Sequence, residues 1–297
     1  MTQIPRPEHP QPQMKREHWK NLNGEWDFSF DFGCSGIDQK WQEGKTDWEK
    51  KILVPFCPES DLSGIGYKDF IPGVWYHRTI TLTGEELKED LLLHFGAVDY
   101  DARVWINGVE AGRHQGGYVS FTFDITKLVK EGENDITLFA ADDVRSGKQP
   151  KGKQSHFFYS RGCDYTRTTG IWQTVWLEWV PESYIEKVQY YPNLAEATLG
   201  IKAVVKGQGT LEAKAFYGGE PCGSVSAKSE GGTVTMTLPL SRLEKWEPGH
   251  GRLYDLTLTY GEDKVESYFG MREVRLDGEK FLINDKSVFQ RLVLDQG

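Results

Sequence analysis

The sequence lacks the cysteine patterns that stabilise small domains. Its 297 residues contain four cysteines, Cys34, Cys57, Cys163 and Cys222, which lie far apart and form no C-x-x-C pair. This argues against a compact disulfide framework and a cysteine-ligated zinc site, whereas four dispersed thiols are typical of a reducing compartment. The seven histidines form neither an H-E-x-x-H motif nor a Cys/His cluster, so we predict no metal site and no cofactor.

Long apolar runs and targeting signals are missing as well. The first 13 residues carry four of the 13 prolines but no apolar signal-peptide core, and no stretch approaches the length of a membrane span. We therefore expect a cytoplasmic protein without a membrane partner, and the removal of a leader is the alternative that remains open. The formal net charge of −9 is spread along the chain, which disfavours nucleic acid as a partner.

No nucleotide or catalytic motif is present. The sequence contains no G-x-x-x-x-G-K-S/T and no G-x-G-x-x-G between a strand and a helix. Hydrolysis by two carboxylates needs an acid and a base about 5–10 Å apart. The 44 acidic residues fall mainly in turns and on the solvent faces of predicted strands, where solvation explains them. We therefore assign no catalytic residue in this sequence.

What the sequence does contain is β structure almost throughout. Residues 102–106 alternate between two faces, and Asn107-Gly108 follows as the strongest short hairpin signal. Residues 26, 28 and 30 share one predicted face, and residues 136, 138 and 140 are predicted to point inward. One helical turn is predicted for residues 14–20. The pattern predicts an all-β protein that begins with a jelly-roll β-sandwich over residues 1–182.

The strand pattern changes near residues 181–183. Six strands follow between residues 185 and 269, with turn residues between nearly all of them. Their number and spacing predict an immunoglobulin-like β-sandwich over residues 183–272, although the Cys…Trp…Cys signature of antibody domains is missing. Residues 289–294 begin an apolar strand with no partner strand, and we therefore expect residues 273–297 to continue into a longer protein.

Two irregular loops, residues 64–72 and 145–169, combine polar, aromatic and basic side chains. Long loops inside a compact domain are more often functional than not. Flat, amphipathic rings such as those of Tyr and Trp stack well on sugars, although any single ring is more often a core residue. These loops are therefore our candidates for contact with a hydroxylated ligand.

The motifs together resemble glycoside hydrolase family 2, which includes β-galactosidases, β-glucuronidases and β-mannosidases. The resemblance is carried by residues 22–26 (LNGEW), 54–60 (VPFCPES), 74–78 (VWYHR), 93–126, 132–134 (GEN) and 169–176 (TGIWQTVW). The family order is a jelly-roll sugar-binding domain, an immunoglobulin-like domain and a (β/α)₈ barrel that carries both catalytic glutamates. By this resemblance, residues 273–297 look like the segment that leads into the barrel.

The resemblance implies a non-catalytic amino-terminal portion of a retaining, exo-acting β-glycosidase, most similar to a β-galactosidase. The isolated portion is expected to be inactive, with a β-glycoside and its own catalytic barrel as partners. By position before Thr169-Gly-Ile, Asp164 resembles the acidic sugar contact of β-galactosidases, and Tyr165 and Arg167 are further substrate-binding candidates. Asp295 and Gln296 sit where the first barrel strand of the family offers polar groups to the site.

The residues themselves leave two other functions open. One is a freestanding carbohydrate-binding module that uses aromatic platforms. The other is a purely structural pair of β domains that serves as a scaffold and as the surface of a homo-oligomer.

Overall fold

The computed structural model describes residues 4–294, which form two compact units. The first unit holds residues 4–10 and 18–179, and the second holds residues 11–17 and 180–294. Both consist mainly of β-strands. Within the described range, no helix is long and apolar enough to cross a membrane. The all-β class predicted from the strand periodicity is confirmed.

The first unit contains twelve strands and three short 3₁₀ helices among the described residues. The strands are β1 (Trp19–Asn21), β2 (Gly24–Phe30), β3 (Lys50–Val54), β4 (Gly73–Leu82), β5 (Asp90–Phe95), β6 (Val98–Asp99), β7 (Asp101–Ile106), β8 (Val109–Gln115), β9 (Phe121–Asp124), β10 (Gly132–Ala141), β11 (Gly170–Ile171) and β12 (Val175–Val180). The 3₁₀ helices are Trp41–Glu43, Asp61–Ser63 and Glu86–Lys88.

Two sheets enclose the main core of this unit. One has six strands in the order β3-β2-β4-β10-β7-β8, and the other has four in the order β1-β12-β5-β9. Successive side chains of a strand point to opposite faces, so one face of each sheet reaches the core. Trp26, Phe28 and Tyr76 of the six-stranded sheet belong to one buried cluster with Leu93 and Leu177 of the four-stranded sheet. The predicted β-sandwich is confirmed, as is the inward face of β2.

The β7–β8 hairpin turns at the predicted residues. Asn107 has a φ of 52° and Gly108 a φ of 80°, which is the left-handed pair of conformations that a two-residue type I′ turn needs. The Asn107 amide donates to the backbone carbonyl of Leu128 and to the side-chain oxygen of Asn134, both at 2.9 Å. The turn is therefore fixed by its own conformation, by the start of β10 and by the segment that precedes it.

The outer face of the six-stranded sheet carries a second, smaller apolar cluster. Trp75, Trp105 and Phe139 form it, and Trp41 and Trp48 of the segment between β2 and β3 pack against it. That segment, residues 31–49, is held by Asp31, whose carboxylate accepts from the Trp75 indole at 3.0 Å. The central strands of this sheet are consequently covered on both faces.

The second unit contains ten strands. They are β13 (Tyr184–Asn193), β14 (Thr198–Lys206), β15 (Gly209–Tyr217), β16 (Glu220–Ser229), β17 (Gly232–Pro239), β18 (Tyr254–Tyr260), β19 (Asp263–Phe269), β20 (Val274–Asp277), β21 (Lys280–Ile283) and β22 (Lys286–Ser287). Sheets of order β13-β14-β17 and β16-β15-β18-β19 contribute inward side chains to one core, and β20-β21-β22 forms a separate small sheet. Buried and exposed residues alternate along these strands, most clearly in β17, and this alternation gives each sheet one face for the core.

The helical turn predicted for residues 14–20 is wrong. Lys15 instead exchanges two backbone hydrogen bonds with Glu266, at 3.0 and 2.8 Å. Arg16 is buried and pairs with Asp263 at 2.8 Å, while also donating to the carbonyl of Ile185 at 2.7 Å. These long-range contacts outweigh a weak local helix preference, because propensity is only a small term in the free energy of a segment.

Candidate functional site

The 142–169 loop of the first unit, which carries three of the predicted site residues, is folded back on itself. The Ser155 amide donates to the carbonyl of Tyr165 at 2.8 Å, and the Tyr165 amide donates to the carbonyl of Lys153 at 2.7 Å. At its outer end, Arg161 and Asp164 exchange backbone hydrogen bonds across a tight turn. The loop is therefore a small ordered element without regular strands.

Asp164 occupies the last position of that turn, where Gly162 supplies a φ of 60°. Its side chain is partly exposed, and within the described part of the chain its carboxylate makes no hydrogen bond or ion pair. The neighbouring Tyr165 ring is 55% exposed. These two predicted residues are therefore adjacent, and the carboxylate of one and the phenol of the other are accessible to a ligand.

Arg167 differs from its neighbours, since it is only 3% exposed. Its guanidinium donates to the backbone carbonyls of Ser155, at 3.0 Å, of Phe157 and of Lys68. It also lies over the Phe70 ring, 4.3 Å from the ring centre. Because Lys68 belongs to the loop after β3, Arg167 joins the two loops that the sequence marked as candidates. Its observed contacts are those of a residue that positions a loop.

Three acidic side chains are buried where these two loops meet. Glu59, Asp99 and Asp142 are 3%, 1% and 5% exposed. The Thr169 amide donates to Glu59 at 3.1 Å, and the Thr169 hydroxyl donates to Asp142 at 3.0 Å. The Gln154 amide donates to Asp99 at 2.8 Å. Glu59 therefore binds the last residue of the 142–169 loop, Asp99 binds its middle, and Asp142 joins its first residue to its last.

Burial dominates the protonation of these groups. It raises the pKa of Glu59 to about 7 and the pKa of Asp99 to about 7, and in Asp99 the charges of Asp142 and Glu59 raise it further. Burial likewise raises the pKa of Asp142 to about 6, although hydrogen bonds from Gln149 and Thr169 oppose the shift. A carboxylate that loses water without gaining a cation favours its neutral form. One oxygen each of Glu59 and Asp99 has no hydrogen-bond partner among the described residues.

This acidic cluster was not predicted from the sequence, because acids in turns and at strand ends are usually solvated. The sequence nevertheless contains a signal for the burial of these three acids. Glu59 falls within the 54–60 motif, and Asp99 and Asp142 each lie at or next to the end of an apolar strand. Acids at strand ends beside loops that close over them are candidates for burial. Gly117, between β8 and β9, packs directly against this cluster, because a Cβ there would lie 2.5 Å from the Asp99 carboxyl carbon.

Two further predicted residues, Asp295 and Gln296, lie outside the described residues. Among residues 4–294, no group of three or more His, Cys, Asp or Glu side chains is arranged to hold a metal ion. What the loop geometry offers is a free carboxylate and an exposed phenol on an ordered support. Such groups bind hydroxyls well, since a charged acceptor makes the stronger hydrogen bonds.

Two family models identify the class of protein to which this fold belongs. Residues 19–181 match the family model described as glycosyl hydrolases family 2, sugar binding domain, and residues 183–272 match the model described as glycosyl hydrolases family 2. The chain belongs to glycosyl hydrolase family 2, as its motifs indicated.

Several proteins similar to this chain are named β-glucuronidases. The chain is 28% identical to the β-glucuronidase of Sus scrofa, covering 95% of this chain and 48% of that protein. It is 24% identical to the β-glucuronidase of Paenibacillus borealis, covering 91% and 48%. The structure of the Ruminococcus gnavus enzyme in complex with D-glucaro 1,5-lactone has a TM-score of 0.78 and 21% identity, covering 93% of this chain and 50% of that one. The chain spans about half the length of the curated relatives it matches.

Proposed function

We propose that this chain is the non-catalytic portion of a glycosidase that hydrolyses β-glucuronides, and that its first unit completes the sugar pocket through Asp164. The proposal replaces the β-galactosidase preference expected from the sequence motifs, because the relatives described above are β-glucuronidases. The catalytic carboxylates would belong to a barrel that follows, to which residues 273–297 would lead.

The observation that carries the proposal is the free carboxylate of Asp164. It stands at a fixed turn, while Arg167 and the buried acids hold the loop beneath it. An ionised carboxylate accepts strong hydrogen bonds from sugar hydroxyls. The same charge would repel the carboxylate of a glucuronide. Asp164 therefore fits the hydroxyl side of the sugar, and the uronate must face groups contributed from elsewhere.

The test is steady-state kinetics of the full-length protein on 4-nitrophenyl β-D-glucuronide and 4-nitrophenyl β-D-galactoside. We expect the glucuronide to be the better substrate. Removing a charged hydrogen-bond partner costs about 1.5–3 kcal/mol, so Asp164→Asn should lower kcat/KM by roughly 10- to 150-fold. Asp143→Asn, which changes an exposed acid of the same loop, is the matched control and should have little effect.

Each outcome has a distinct meaning. A preference for the galactoside would overturn the substrate assignment and leave the role of Asp164 standing. Equal activity of Asp164→Asn and wild type would remove Asp164 from the pocket, whichever substrate is preferred. Turnover by residues 1–297 alone would show that the catalytic carboxylates lie within this chain.

A further inference from the structure

A cleft lies on the outer face of the six-stranded sheet, away from the Asp164 loop. Its volume is about 630 Å³, which is within the range of pockets that enclose small ligands, about 300–1,000 Å³. Asp135 of β10 lines it, whereas Asp142 and the loop that follows begin beyond the other end of the same strand. Seven residues of extended strand separate the two by about 23 Å. The cleft is therefore a separate place on the first unit.

The floor of the cleft is a polar row across the sheet. Asp27 of β2 is paired in register with His77 of β4, which is paired with Thr137 of β10. The two ring nitrogens of His77 lie 3.1 Å from the Asp27 carboxylate and 3.0 Å from the Asp135 carboxylate. Lys51 supports Asp27 at 2.8 Å. These polar groups, held in a fixed register, lie beside the Trp75–Trp105–Phe139 cluster on the same face of the sheet.

The wall opposite the floor comes from residues 41–48. The Trp48 ring stacks on His77, with 5.2 Å between ring centres and 11° between planes. The Lys45 ammonium lies 4.4 Å from the centre of the Trp41 ring and pairs with Asp47 at 2.8 Å. Both indoles are only partly buried. The wall therefore presents the flat apolar surface of two indole rings next to the charged pair of Lys45 and Asp47.

One polar atom of this wall is left without a partner. The side-chain oxygen of Gln42 is buried and accepts no hydrogen bond among the described residues. Gln42 lines the cleft together with the Asn107-Gly108 turn, and a Cβ on Gly108 would lie 3.5 Å from the backbone carbonyl oxygen of Gln42. A buried acceptor without a donor costs free energy, and a hydroxyl group of a ligand would remove that cost.

The charges of the lining nearly balance. Three acids, Asp27, Glu43 and Asp135, face two lysines, Lys45 and Lys130, and the His77 ring. A lining with charges of only one sign would favour a ligand of the opposite charge. Donors and acceptors in similar number, beside indole rings, suit a ligand whose groups both donate and accept and whose ring faces are apolar. Sugars without ionised groups have that chemistry.

We propose that this cleft is an accessory binding site for a neutral oligosaccharide, separate from the pocket that Asp164 completes. Hydroxyls of the sugar bond to Gln42 and to the carboxylates of the floor, and its ring packs along Trp48. Such a site would hold a neutral glycan chain, either one attached to the substrate or one that lies near it, against the first unit.

The proposal is tested by isothermal titration calorimetry of the full-length protein with cellotriose, xylotriose and mannotriose, and with an oligogalacturonide trisaccharide as the anionic comparison. We expect saturable binding of at least one neutral trisaccharide. Trp48→Ala should weaken it about tenfold, because it removes the aromatic surface. Gln42→Met keeps the length of the side chain and removes its amide, both the acceptor oxygen and the N–H donors, and it should weaken binding about fivefold. Thermal unfolding of each variant checks that the fold is retained.

The control is Asp164→Asn, which should leave this binding unchanged while it lowers glucuronide hydrolysis. Absence of saturable binding with all three neutral trisaccharides would overturn the accessory site. Binding of the oligogalacturonide alone would overturn its neutral character. If Asp164→Asn weakens trisaccharide binding and Gln42→Met does not, the sugar binds at the loop, and the cleft is not a site.

Discussion

Replacing Glu59 by glutamine should abolish a large part of the pH dependence of stability of the first unit. Glu59 is buried, its pKa is raised to about 7, and Thr169 donates to one of its oxygens. Between about pH 4.5 and pH 7 the folded protein then binds more protons at this group than the unfolded chain does. Stability must therefore fall as pH rises through this window, and below it the group has no effect.

The size of this effect on stability follows from the shift in the pKa of Glu59. Raising the pKa of this carboxyl from 4.5 to about 7 corresponds to about 3 kcal/mol of stability lost at pH 8, because each pKa unit corresponds to about 1.36 kcal/mol. Glutamine remains neutral and keeps an oxygen for the Thr169 amide. For a unit of this size, about 3 kcal/mol corresponds to a change of about 6–12 °C in Tm.

The measurement is differential scanning calorimetry of wild type and Glu59→Gln at pH 4 and pH 8. We expect the two proteins to differ by about 3 kcal/mol more at pH 8 than at pH 4, in favour of the variant. Gly147→Ala is the control, since it changes no ionisable group and has nothing within 4 Å of its Cβ position, and it should leave the pH dependence unchanged. An unchanged pH dependence in Glu59→Gln would refute the argument that burial keeps this carboxyl protonated.

Two further predictions concern single contacts in the two units. Gly170 has a φ of 72°, and a Cβ there would lie 2.3 Å from the Tyr76 hydroxyl, so Gly170→Ala should cost about 3 kcal/mol in urea unfolding. Asp263→Ala should destabilise the second unit by about 3–5 kcal/mol, because it leaves the buried guanidinium of Arg16 without its carboxylate. Thermal unfolding of that unit measures the loss.

Each of these variants has a matched control. Gly147 has a φ of 67° but nothing within 4 Å of its Cβ position, so Gly147→Ala should cost only about 1 kcal/mol. Equal losses at the two glycines would show that the contact with Tyr76 is unimportant. Glu266→Gln changes an exposed pair with Lys15 at 3.7 Å and should cost less than about 1 kcal/mol. A loss as large as that of Asp263→Ala would contradict the role given to burial.

The strand pattern was predictable because it depends on local sequence. A β-strand with one buried face must alternate, and the Asn107-Gly108 turn needs residues that tolerate a positive φ. The inward side chains at positions 136, 138 and 140 follow from the same period of two. Strand alternation and tight turns are determined by residues close together in the chain, so they can be read from the sequence.

The candidate site was less predictable, because it depends on loops that are distant in sequence. Arg167 was expected to contact a ligand, yet its guanidinium binds Lys68, almost a hundred residues earlier in the chain. The burial of Glu59 depends likewise on Thr169. Spacing along the chain cannot distinguish an arginine that binds a substrate from one that binds a loop. The roles of Asp164 and Tyr165 as sugar contacts stay predictions.

The stacked indoles on the outer face of the six-stranded sheet also give the protein an optical signature. Trp75 and Trp105 lie 5.5 Å apart with 19° between their planes, and Trp41 lies 5.7 Å from Trp75. Electronic transitions of indoles this close couple, so their circular dichroism contains an exciton component that vanishes when the rings separate. Trp246 is the one tryptophan of the second unit. The coupled signal therefore reports the unfolding of the first unit alone, within an otherwise intact chain.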